Sequence, residues 1–110
     1  MKKALTILAL SAILSTASTN VNAEFVSGVA IKEGLSNGSV ATIGYVLGAA
    51  DSLTGSVWCP PKGLQAETMV LYVAETIKKI PNKTLEEISG DVAVGVILKA
   101  AFPCPKETKL

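Results

Sequence analysis

Apolar residues recur at helical spacing along most of this chain, and glycines and prolines cut the recurrence into segments. From Glu24 to Leu35 the stretch EFVSGVAIKEGL places Phe25, Val26, Val29 and Ile31 for two or three helical turns, weakened by Gly28 and Gly34. Asn37-Gly38 marks a turn, and Ser39 offers a cap to the next helix. Between Ser39 and Leu53, Val40, Ile43, Leu47 and Ala50 recur at threes and fours, the signature of an amphipathic helix that Thr54-Gly55 closes. After Pro60, Pro61 and Gly63, the segment Leu64 to Ile80 sets Met69, Val70, Val73 and Ile77 on one face. Lys78 and Lys79 stand at its end, where the helix dipole favours cations, and Pro81 stops it. Thr84-Leu85-Glu86-Glu87 reads as a capping box opening a last helix that runs to about Phe102 and halts at Pro103. Its second half, VAVGVILKAAF, is apolar almost all round and predicts a central core helix, being too short to span a bilayer. The expected fold is all-α, a small bundle of three to four helices.

The first residues show a different pattern. Lys2 and Lys3 precede a short apolar run, Ala4 to Leu14, and a polar stretch ends in Val21-Asn22-Ala23. This is the pattern of a cleaved secretory signal peptide over residues 1–23, leaving residues 24–110 as one domain with no membrane insertion. A domain of that size buries only about 60 to 65% of its unfolded surface, so a covalent staple is expected. Cys59 and Cys104, the only two cysteines, are an even pair in an exported chain and are expected to form it.

Composition excludes much chemistry. The chain has no histidine, which removes histidine triads and histidine metal sites, and two cysteines cannot make a four-cysteine zinc site. A thiol nucleophile would lack its usual basic partner. All ten positive side chains are lysine, and without the leader eight of them face nine acidic residues, a near-neutral balance that argues against nucleic acid. Glu86, Glu87 and Asp91 are the densest acidic cluster. Adjacent helical residues diverge by about 100°, so Glu86 and Glu87 cannot flank one bond, and all three are expected to favour a positive helix start. The expectation is a protein that is not an enzyme and holds no metal or cofactor. The sequons at Asn37 and Asn82 read as turn and capping residues.

The stretch GYVLGAADSLTGSVWCPP, residues 44–61, is the most distinctive. Gly44 and Gly48 suggest close approach of a neighbouring helix. Asp51, opposing the dipole late in its helix, suggests a latch on the turn that presents Trp58 and Cys59. Trp58 has two readings, a plug in the core beneath the disulfide or a contact residue on an exposed loop.

Gly44, Tyr45, Gly48 and Asp51, then Cys59, Pro60 and Pro61, and finally Phe102 to Pro105, resemble the Rap/Tai immunity family over Val40 to Lys106. The resemblance implies a small all-helical periplasmic protein, often a homodimer. Such a protein binds a peptidoglycan amidase effector delivered by type VI secretion and blocks its cleft. Relatives carry a cysteine where this chain has Thr42, and a second in the first helix; both are absent here. The shared motif positions look like scaffold, which leaves the loops at Trp58 to Lys62 and Pro81 to Thr84 as expected contacts, Trp58 and Lys62 foremost. A different class of function, a periplasmic acid-stress chaperone, also fits a small exported helical chain with one disulfide.

Overall fold

A computed structural model describes residues 26–106; the expected leader lies outside the described residues. Among the described residues five helices occur in order: α1, Gly28–Ser36; α2, Val40–Leu53; α3, Ala66–Ile77; α4, Asn82–Glu86; α5, Gly90–Ala101. No strand forms among the described residues beyond two isolated bridges, so the all-α expectation holds.

The caps explain where the helices start. Ser27 accepts the Ala30 N–H on its hydroxyl at 3.2 Å and opens α1, so Val26 and Ser27 stand before the helix rather than within it. Ser39 does the same for Thr42 and opens α2 as expected. Between them Gly38 takes φ +69°, a left-handed conformation that glycine adopts without penalty. The third helix is shorter than its apolar pattern suggested, because Gly63, at φ +87°, and Leu64 belong to the incoming turn. Residues 78–80 likewise leave the helix in a turn closed by the Lys79 and Ile80 N–H groups.

The expected capping box is corrected. Thr84 lies inside short α4, which starts after Pro81, and Glu87 ends it. The long last helix is therefore two helices broken at 87–89. The break has a tertiary cause: the linker pairs with the chain ahead of α1, Gly28 N–H reaching the Ile88 carbonyl at 2.9 Å and Gly90 N–H the Val26 carbonyl at 2.6 Å. Only Asp91 of the acidic cluster sits in the first turn of a helix; Glu86 and Glu87 stand at the wrong end of α4 for a dipole role.

α5 is the central element and packs against α1, α2 and α3. Val94 and Leu98 are fully buried, joined by Val46 of α2, Val73 and Ile77 of α3, and Leu85 of α4. Its apolar character is not all core, since Val92 and Val96 face outward. Gly28 and Gly90 make the close approaches: a Cβ on Gly28 would stand 2.9 Å from the Leu85 carbonyl oxygen, and one on Gly90 2.9 Å from Ile31 Cγ1. Lys32 ties α1 to the turn after α3 and to the start of α4, donating to the Ile80 carbonyl at 2.8 Å and to Asn82 Oδ1 at 2.9 Å.

Candidate functional site

The segment from Gly44 to Gly63 is built in layers. At the C-terminal end of α2 the chain turns back on itself. Thr54 Oγ1 donates to the Ala50 carbonyl at 2.9 Å, Val57 N–H to the Leu53 carbonyl at 2.9 Å, and Gly55 N–H to the Trp58 carbonyl at 2.8 Å. Gly55 sits at φ +89°, which this turn requires. Trp58 then folds under α2. It is 4% exposed, and its indole N–H donates to the Ala50 carbonyl at 2.8 Å, so the one polar atom of the ring is satisfied where it is buried. Phe102 lies against it at 6.0 Å between ring centroids, and Tyr72 of α3 meets Phe102 edge-on at 5.8 Å.

Cys59 and Cys104 are joined by a disulfide, with their Cα atoms 4.7 Å apart. Cys59 N–H also donates to the Phe102 carbonyl at 2.9 Å, so the tail after α5 is pinned to the loop after α2. Pro60 and Pro61 carry the chain onward from this anchor, and Lys62 beyond them is exposed.

Several expectations change here. Trp58 is a core plug and not an exposed loop contact. Asp51 is exposed, and among the described residues its carboxylate accepts no hydrogen bond from the turn; the threonine, the indole and the backbone hold that turn instead. Gly44 and Gly48 have nothing within 4 Å of an added Cβ, so no helix among the described residues packs on them. Tyr45 is half-buried beside Gly90 and Asp91. Burial pushes its phenol above the ordinary 10.0, and the Asp91 carboxylate adds to the rise, while the Asp91 backbone N–H opposes it. Thr42 packs directly on Gly34 of α1, leaving no room for a Cβ there.

A further element start lies at Ser89-Gly90-Asp91, where the pattern of the chain predicted helix interior. Ser89 Oγ donates to Asp91 Oδ1 at 2.6 Å at the start of α5, and Gly90 admits Tyr45 and Ile31. A serine followed by glycine and aspartate is a helix-start signal in its own right, but the stronger-looking threonine-glutamate pattern upstream masks it.

An open groove lies beside the plugged turn, between α2 and α3. One half, of about 510 Å3, is lined by Leu47, Asp51, Thr54 and Pro60, by Leu64 and Met69, and by an edge of Trp58 at its floor. The other, of about 420 Å3, is lined by Ile43, Leu47, Glu67, Val70 and Leu71. Its charged side chains are two carboxylates on different helices, Asp51 of α2 and Glu67 of α3.

The family model of the Rap1a immunity proteins matches residues 23–104. The chain belongs to this family. No curated protein is found to match it at a significant level. An immunity protein works by binding a partner effector protein, which fits a scaffold held by a disulfide and presenting an open groove. Among the described residues no helix is long and apolar enough to cross a membrane. Cys59, Pro60 and Pro61 anchor the turn, and Gly44 and Gly48 lie on an outward face of α2.

Proposed function

We propose that the protein is an immunity protein of the periplasm, exported by its leader over residues 1–23, that binds a peptidoglycan amidase effector delivered by type VI secretion. It protects the producing cell by covering the amidase cleft and performs no reaction itself. The observation that carries this reading is the family match over residues 23–104. The leader pattern supports the compartment, because an amidase attacking peptidoglycan has to be met outside the cytoplasm. Residues 24–110 act as one domain, and a homodimer belongs to the same reading. The exposed loop with Lys62, held in place by the disulfide and two prolines, is a rigid projection suited to such contact.

The test is protection. Cells made to export peptidoglycan amidase effectors of type VI secretion should lyse, and co-expression of the full chain should keep those carrying its cognate amidase growing, whereas a chain lacking residues 1–23 should not. Lysis unaffected by the full chain, with no complex by sedimentation between the purified proteins, would refute the proposal. Sedimentation of the protein alone reads the dimer.

A further inference from the structure

The groove between α2 and α3 identifies the kind of partner surface this protein takes; the inference rests on the proposal that it binds another protein. The groove's two halves adjoin at Leu47 and Ala66, which line both. Its walls are antiparallel: Asp51 lies near Leu64 and Gln65 at one end, and Ile43 near Val70 and Leu71 at the other. Leu71 is 62% exposed on its rim, and Val40, in the first turn of α2, is 83% exposed. This apolar surface has no cover among the described residues.

Charge selects the occupant. Asp51 and Glu67 are the only charged residues in the lining, and both are exposed carboxylates. No lysine lines either half, although lysine supplies every positive side chain in the protein. The one ion pair among the described residues, Lys78 with Glu75, uses neither of them. From Ile43 to Asp51 the α2 wall runs roughly 12 Å at about 1.5 Å per residue, the length of two to three helical turns. Apolar side chains at i, i+4 and i+7 of a short helix fit a channel of that length. We propose that this groove receives an amphipathic helix of the partner protein, with its apolar face against Leu47, Met69 and Val70 and lysine or arginine residues flanking that face to meet Asp51 and Glu67. An acidic helix would place like charges together and be rejected.

The probe is a fluorescently labelled synthetic helical peptide with leucines at i, i+4 and i+7 flanked by lysines, together with versions carrying glutamine or glutamate in place of lysine. Titrated against the purified full secreted chain, the lysine peptide should bind saturably and weaken as salt is raised, and the glutamate version should not bind. Asp51→Asn with Glu67→Gln should weaken the lysine peptide about tenfold. Leu47→Lys should abolish binding, with melting curves of both variants unchanged because all three side chains are at the surface. Equal binding of the three peptides, no binding of the lysine peptide, or a Leu47→Lys variant that binds normally would overturn the inference. So would a stable homodimer that Leu47→Lys dissociates, since a second copy would then fill the groove. The amidase challenge separates the two proposals. Peptide binding as expected without protection sinks the immunity reading alone, whereas full protection by the Leu47→Lys protein sinks only the groove.

Discussion

At the scale of single residues, Tyr45 shows how burial becomes pH dependence. Its phenol loses its proton less readily in the folded chain than in the unfolded one, where the ordinary value is 10.0. The stabilisation is therefore fully present below pH 10 and is lost as pH rises through the folded value, because the unfolded phenol ionises first. Denaturant titrations between pH 9 and 11.5 should show the wild-type protein losing stability more steeply than Tyr45→Phe, with the two differing least in that slope near neutral pH. Parallel alkaline limbs would disprove this. Trp58 illustrates the other limit of residue-scale reading. Its type left two roles open, and only the Ala50 carbonyl waiting 2.8 Å from the indole nitrogen made it a core residue.

At the scale of elements, glycines separate into two groups that a sequence presents identically. Gly90 admits Ile31 and Tyr45 at the start of α5, whereas Gly44 in the middle of α2 faces open space. Gly44→Ala should accordingly stabilise the protein by about 1 kcal/mol, the difference in helix propensity. Gly90→Ala should destabilise it by about 1–3 kcal/mol through overpacking. Thermal melts of the two variants check both signs. Helix identity was largely legible from the 3.6-residue recurrence, as were the cap at Ser39 and the turn at Asn37-Gly38. The break at 87–89 was not, because its cause is a pair of backbone hydrogen bonds to Val26 and Gly28, some sixty residues away in the chain.

At the scale of the whole molecule, the disulfide closes a separation of 45 residues and ties the end of central α5 to the turn after α2. Cys59→Ser with Cys104→Ser should lower stability by up to ~4 kcal/mol on the chain-entropy model, and reduction of the wild type should produce a similar fall in melting temperature. Electrostatics contribute little by comparison. The buried core among the described residues contains no charged side chain, and their one ion pair is exposed. Near-UV circular dichroism should therefore change little between pH 7 and pH 3. A cooperative loss of that signal on acidification would instead favour the acid-stress chaperone reading.

The sequence by itself determined the all-helical class, the sulfur pairing and the kinship with an immunity family, because periodicity, cysteine count and motif order are properties of the chain alone. Tertiary structure decided which glycines are crowded, where the last helix begins, and that Asp51 faces solvent while Trp58 does not. It also decided that Asp51 and Glu67 line the two halves of one groove. Such features depend on which distant segments meet, and local pattern carries no record of the partner a side chain will find across the bundle.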